Sequence, residues 1–130
     1  MHQANQQMLQ KLYDDCSRGE SPAVLAACDD KITFQIPGKS PLAGKYTKAD
    51  FGGSFVGKMA ELSGHTLKVE VHDILASDRH GTVLASSHFT RNGKAHQLRT
   101  VHVWRIENGK PVAFYEYPRD LYQFDQAWGG

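Results

Sequence analysis

Apolar positions recur every three or four residues near the start of the chain and every second residue over its latter half. The change of period divides the chain into a helical part and a sheet part. Met8, Leu9, Leu12, Tyr13 and Cys16 fall on one face of a helix predicted over 5–18, with Gly19 placed to end it in the left-handed conformation. A short second helix follows, with Ser21 as N-cap, Pro22 at its first position and Val24, Leu25 and Cys28 as its buried side. Over 31–36, Ile32, Phe34 and Ile36 alternate with Thr33 and Gln35, which predicts a half-buried strand stopped by Pro37-Gly38. Residues 39–46 read as a loop. Thr47 and Asp50 make a capping box for a third helix, which turns Phe51, Phe55, Met59 and Leu62 inward. Gly52, Gly53 and Gly57 weaken that helix by roughly 1 kcal/mol each relative to Ala, and are read as permitting close backbone packing.

From His65 onward the pattern is β. Turn signals at Asp78-Arg79-His80-Gly81, Asn92-Gly93 and Asn108-Gly109 mark off strands over 65–76, 82–91, 95–106 and 110–117, an antiparallel meander. Leu121, Phe124 and Trp128 return to helical spacing in a C-terminal piece that would cap a sheet edge or a cavity mouth. Helices followed by a long meander predict an α+β fold, with helices against one side of a curved sheet and a conical pocket between them.

Composition narrows the function. The 130 residues form one domain, 1–130. The net charge of +1, without a basic block, speaks against nucleic acid as a partner. No apolar run approaches the roughly 20 residues that span a membrane, and MHQANQQMLQ lacks a signal-peptide core, so a cytoplasmic protein is expected. Cys16 and Cys28 fit reduced core thiols in that compartment. The spacings of a CxxC, HExxH, P-loop, GxGxxG or GxSxG motif are absent. His65, His72, His80, His88 and His96 are spread over three strands and a turn, which does not make a metal ligand set. No cofactor is expected.

Candidate chemistry concentrates in the hairpin 97–117. One face of its first strand carries Leu98, Thr100, His102 and Trp104; the other carries Arg99, Val101, Val103 and Arg105. Periodicity does not choose between them. A two-residue Asn108-Gly109 turn would pair His102 with Tyr115. A three-residue loop ending in a left-handed Gly109 would pair it with Phe114 and set Glu116 beside Thr100. The same parity decides His88, outward with a two-residue turn at Asn92-Gly93 and inward with a three-residue one. A histidine facing the interior is suited to proton transfer near neutrality, and equally to a hydrogen-bonded place in a packed wall.

Three stretches carry a resemblance. They are Cys28-Asp29-Asp30-Lys31-Ile32-Thr33-Phe34 running into Ile36-Pro37-Gly38, then Pro41-Leu42-Ala43-Gly44, then Val101-His102-Val103-Trp104-Arg105-Ile106-Glu107-Asn108-Gly109-Lys110. In this order they resemble the NTF2-like superfamily, in particular its SnoaL-like and ketosteroid isomerase-like group. The resemblance implies a cone-shaped fold, with a curved antiparallel sheet wrapped around three N-terminal helices and an internal pocket. It implies cofactor-independent acid/base chemistry of isomerase, cyclase or dehydratase type on a small apolar molecule. The alternative is a non-catalytic ligand-binding or interaction module of the same fold.

The resemblance also turns His102 toward the cavity, favours the register that brings Glu116 beside it, and leaves the Arg99/Val101/Val103/Arg105 face for a homodimer. The position of the isomerases' base aspartate holds Gln35, and their oxyanion tyrosine falls at about Leu12, next to Tyr13. Their second oxyanion donor corresponds to His102. The Arg-x-Asp pair of limonene-type hydrolases is broken, since Val101 stands two residues after Arg99. The expected catalytic group is therefore His102, Glu116 and an orienting Gln35. Tyr13, Phe51, Phe55, Leu98, Thr100, Trp104, Phe114 and Asp120 are the expected ligand-binding residues, Asp120 because SnoaL-type cyclases carry a catalytic aspartate near this end.

Overall fold

The computed structural model describes residues 2–129. Helix α1 (His2–Ser17) packs along the sheet through Leu9, Leu12 and Tyr13, while Cys16 lies on its exposed side and is not a core thiol. The helix is tied down by side-chain amides: Asn5 donates to Ser77 O (3.0 Å) and Asp78 O (3.1 Å), and Gln6 to Ile74 O (2.9 Å). Gly19, at φ 72°, ends it as expected, with Glu20 N returning to Asp15 O at 2.9 Å. Helix α2 (Ser21–Ala27) starts one residue earlier than predicted, so Glu20 is its N-cap and Ser21 makes no capping bond. Cys28, just beyond α2, is buried, and burial pushes its thiol up to about 11.

The sheet has six strands: β1 (Thr33–Ile36), β2 (Gly44–Thr47), β3 (Lys68–Ala76), β4 (His80–Arg91), β5 (Lys94–Glu107) and β6 (Lys110–Pro118). They lie in the order β2-β1-β6-β5-β4-β3. The sheet is mixed, not wholly antiparallel, because β1 runs parallel to β6. The expected loop before the third helix contains β2, too short to alternate visibly; only Tyr46 turns inward, against Phe34 on the register partner strand. The first hairpin turn sits one residue earlier than expected, closed by Ser77 N to His80 O at 2.8 Å.

The third helix departs most from expectation. The capping box forms, with Thr47 N (3.0 Å) and Oγ1 (2.9 Å) both donating to Asp50 Oδ2. Residues Phe51–Gly57 then wind as a π-helix before α3 (Lys58–Leu62). A Cβ at Gly52 or Gly53 would meet nothing within 4 Å, so these glycines do not serve close packing. They relax the backbone enough for the wider turn, which carries both Phe51 and Phe55 into the core. Close approach occurs instead at Gly81, where a Cβ would overlap Leu9 Cδ1.

The C-terminal helix α4 (Leu121–Ala127) begins at Asp120, whose carboxylate accepts from Gln123 N at 3.1 Å. Phe124, Ala127 and Trp128 are buried, Trp128 stacking on Phe89 at 4.2 Å between ring centroids, whereas Leu121 is exposed. No helix among the described residues is long and apolar enough to cross a membrane.

Candidate active site

The two Asn-Gly turns are alike. Asn92-Gly93 and Asn108-Gly109 all have positive φ, as a two-residue type I′ turn requires, and pair Arg91 with Lys94 and Glu107 with Lys110. In the β4–β5 hairpin that register continues unbroken, so His88 faces outward and its Nε2 meets Glu70 Oε1 at 3.0 Å. In the β5–β6 hairpin it does not. Ile106 pairs with Pro111 but Arg105 pairs with Ala113, leaving Val112 as a bulge. His102 is therefore opposite Glu116, neither Tyr115 nor Phe114, and both expected registers are replaced. The extra residue restores the parity that the two-residue turn would have lost. Glu116 joins His102 on the inner face through the bulge, not through a longer loop.

Leu98, Thr100, His102 and Trp104 all point inward and are buried. Thr100, His102 and Trp104 join Tyr13 of α1 and Glu116 in a continuous chain of hydrogen bonds. Trp104 Nε1 donates to the Tyr13 hydroxyl at 2.9 Å, and that hydroxyl lies 2.6 Å from His102 Nδ1. On the other side of the ring, His102 Nε2 is 3.2 Å from Glu116 Oε2, which also accepts from Thr100 Oγ1 at 2.6 Å.

Donor chemistry orients this chain. An indole N–H can only donate, so the Tyr13 oxygen accepts from Trp104 and its own proton is free to go to Nδ1. Nε2–H is then the donor to Glu116. In that arrangement every proton in the chain has an acceptor. A proton on Nδ1 would leave the Tyr13 O–H with no partner among these groups.

The charges follow from burial and these bonds. Burial pushes the Tyr13 phenol well above the ordinary tyrosine range; the Trp104 bond opposes this and the Glu116 charge adds to it, so Tyr13 stays a donor. Burial also pushes the Glu116 carboxyl up. It is outweighed by His102, through charge when protonated and through N–H donation, and by the Thr100 hydroxyl, so the group lies below its ordinary value. Glu116 is thus a carboxylate at neutral pH. Both its hydrogen bonds fall on Oε2, and no buried side-chain oxygen among the described residues lacks a partner, so Oε1 is where the network meets solvent.

Aromatic rings fill the space beside the network. Phe34 contacts Phe51, Phe55, Phe114 and Trp104 at centroid distances of 4.9, 5.4, 5.9 and 6.4 Å, and Phe114 lies 4.9 Å from the His102 ring. Phe51, Phe55, Trp104 and Phe114 are in this way one buried cluster around the network. Phe34, at its centre, belongs with them, and its alternation with Gln35 was the available signal. Asp120 stands apart, exposed, and serves α4 as its cap.

Gln35 lies on the opposite face of the sheet from His102, because Phe34 takes the inward position and Gln35 pairs with Tyr115. It does not join the buried network. It does line a groove of about 450 Å³ with Ile36, Pro37, Gly44, Lys45, Tyr115, Glu116 and Tyr117. Pairing of β1 with β6 ends at Gln35 and Tyr115, so Glu116 and Tyr117 have no strand neighbour on that side. Inner-face Ile36 and Glu116 and outer-face Gln35, Lys45, Tyr115 and Tyr117 all border the groove, which therefore lies in the gap that β1 leaves. The remaining histidines serve elsewhere: His72 Nε2 meets Ser86 Oγ at 2.8 Å and His96 packs on Phe89. Among the described residues no group of three or more His, Cys, Asp or Glu side chains could hold a metal ion.

Similar structures share this architecture along the whole chain. Bal32a from a soil-derived mobile gene cassette is 22% identical, with 98% of each chain covered and a TM-score of 0.90. TerC, co-crystallized with polyporic acid, is 17% identical over 98% of this chain and 99% of its own, at 0.84. An LEH-like epoxide hydrolase from M. tuberculosis is 12% identical over 98% and 90%, at 0.73. No curated protein matches the sequence. The model of the SnoaL-like domain matches residues 9–114, a span from α1 into β6 that takes in Tyr13, Thr100, His102 and Trp104. The chain belongs to the SnoaL-like domain family.

Proposed function

We propose that this protein is a cofactor-independent acid/base enzyme acting on a small, largely apolar, carbonyl-bearing molecule, with Glu116 as the base. The observation that carries the reading is the half-buried Glu116 carboxyl group, bonded on Oε2 by Thr100 and His102 and open at Oε1. A carboxylate held this way accepts a proton from a substrate C–H adjacent to a carbonyl. His102 is a positioning residue, fixed in its tautomer by Tyr13, and Trp104 fixes Tyr13 in turn. The structural neighbours, one an LEH-like epoxide hydrolase and one co-crystallized with polyporic acid, support a small organic ligand for this fold. Epoxide hydrolysis itself is not proposed, since Arg99 is exposed and Val101 stands where an aspartate would be needed.

A second reading, a non-catalytic ligand-binding module, draws support from the ring-filled interior and from a network whose buried groups already satisfy one another. One experiment separates the two: exchange of the α-hydrogens of α-tetralone for deuterium in D₂O, followed by NMR. The enzyme reading expects exchange above the buffer rate, falling about 10²-fold or more in Glu116→Gln, the usual range for a lost general base. No acceleration, with tetralone still raising the melting temperature, would leave the binding module. The half-buried Val101 and Val103 between exposed Arg99 and Arg105 further support a homodimer through the outer sheet face. A monomeric mass in light scattering at micromolar concentration would contradict it.

A further inference from the structure

The groove at the end of β1 has a chemistry of its own. Lys45 is exposed, and neither its ammonium, the Gln35 amide nor the hydroxyls of Tyr115 and Tyr117 has a hydrogen-bond or ion-pair partner among the described residues. One fixed cation, two phenols and an amide therefore border the same space with their donors unanswered. Ile36, Pro37, Gly44 and the tyrosine rings supply apolar surface between them. A volume of about 450 Å³ is within the range that holds a small organic molecule.

We infer that this groove binds a planar, unsaturated carboxylic acid, its carboxylate at Lys45 and its carbon skeleton directed toward Glu116. The inference rests on the acid/base reading for its orientation and names the substrate class of that site. A cationic ligand would meet Lys45 as a like charge. A wholly neutral one would leave the Lys45 ammonium without a counter-charge. A dianion would bring charge against the Glu116 carboxylate. A single acid group is accommodated because the two charged side chains lie on opposite faces of the sheet: Lys45 follows the outward parity of Gln35, its register partner, and Glu116 the inward parity of His102. The tyrosine rings favour a flat skeleton, since aromatic faces pack best in offset or edge contact with other π-systems. The C–H that breaks is one adjacent to a ketone carbonyl of the skeleton: its proton goes to Glu116 Oε1 and its electron pair to the carbonyl oxygen as an enolate.

The test uses 2-naphthoate and its neutral isostere 2-naphthamide, with binding followed by calorimetry and by backbone amide shifts. The expected result is naphthoate binding at least about tenfold tighter than naphthamide, weakened by salt, with shifts at Lys45, Tyr115 and Tyr117. Lys45→Gln, a change on an exposed side chain, should bring the two affinities within about twofold of each other. Equal affinities in the unaltered protein, an unchanged preference in Lys45→Gln, or shifts centred on Phe51 and Phe55 would each overturn the inference. Binding is read here without turnover, so the two claims fail separately. Naphthoate selectivity without tetralone exchange keeps the groove and removes the base. Exchange lost in Glu116→Gln, with no naphthoate preference, does the reverse.

Discussion

The β4–β5 and β5–β6 hairpins share the same Asn-Gly turn, with the same signs of φ, and differ by one residue. β4 pairs with β5 in constant register from Arg91 and Lys94 to His80 and Arg105. β6 gains Val112, and everything beyond it shifts by one. In the regular hairpin His88 ends outside, beside Glu70; in the bulged one Glu116 ends inside, beside His102. A turn sets the register only at its own end of a hairpin. The position of a functional side chain several pairs away is set by what happens between.

Inserting one alanine directly after Ala113 should have the largest effect. With the bulge at Val112 kept, the inserted residue would carry Tyr115 opposite His102 and turn Glu116 outward, burying Tyr115 and Tyr117 in place of Phe114 and Glu116. We expect a loss of about 4 kcal/mol or more in denaturant unfolding, with turnover abolished. An insertion variant of near-unaltered stability and activity would show that the register of β6 does not set the site.

Tyr13→Phe comes next. It leaves the Trp104 N–H and His102 Nδ1 without partners in a buried setting, a loss of about 2–4 kcal/mol for the two groups together. It should also remove an alkaline dependence. The folded-state pKa of Tyr13 lies above its unfolded value, so its contribution is fully present below about 10 and is lost as pH rises through the folded value. Unfolding midpoints measured across that range should flatten in the variant.

Glu116 has the opposite sign. Its folded pKa lies below its unfolded value, so its contribution is present above about 4.3 and is lost as pH falls from there through the folded value. Glu116→Gln should reduce the acid-side slope of stability while preserving the fold. An unchanged slope would mean that His102 and Thr100 do not hold the carboxylate.

The smallest effect is the control. Gly93→Ala and Gly109→Ala place a side chain at φ 78° and 76°, with nothing within 4 Å in either turn. Each should cost about 1 kcal/mol from backbone strain and leave turnover unchanged, because the bulge lies beyond the turn. A loss of turnover confined to Gly109→Ala would place register control in the turn.

Much of this fold is legible in the sequence. Leu9, Leu12 and Tyr13 mark α1 by spacing, Ile32, Phe34 and Ile36 mark the first strand, and Asn-Gly marks two of the turns. The inward set Leu98, Thr100, His102 and Trp104 followed from the family resemblance, since alternation by itself offered both faces. What escaped was non-local or local in a way composition does not express. β2 is a strand because β1 is there to pair with it. The π-helix follows from three glycines whose role looks the same on paper as a packing contact. Val112 is a β-branched residue in a β-rich run, and nothing in that run distinguishes a paired valine from a bulged one. Gln35 was expected to face the interior by analogy, although its alternation with Phe34 already pointed outward.

A directed chain of hydrogen bonds runs from Trp104 through Tyr13 and His102 to Glu116. Long-range ¹H–¹⁵N correlation of the His102 ring at neutral pH reads that direction. A proton on Nε2 and an unprotonated, hydrogen-bonded Nδ1 are expected, a pattern lost in Tyr13→Phe. A proton on Nδ1 would leave the Tyr13 hydroxyl without its acceptor and would overturn the direction of the chain.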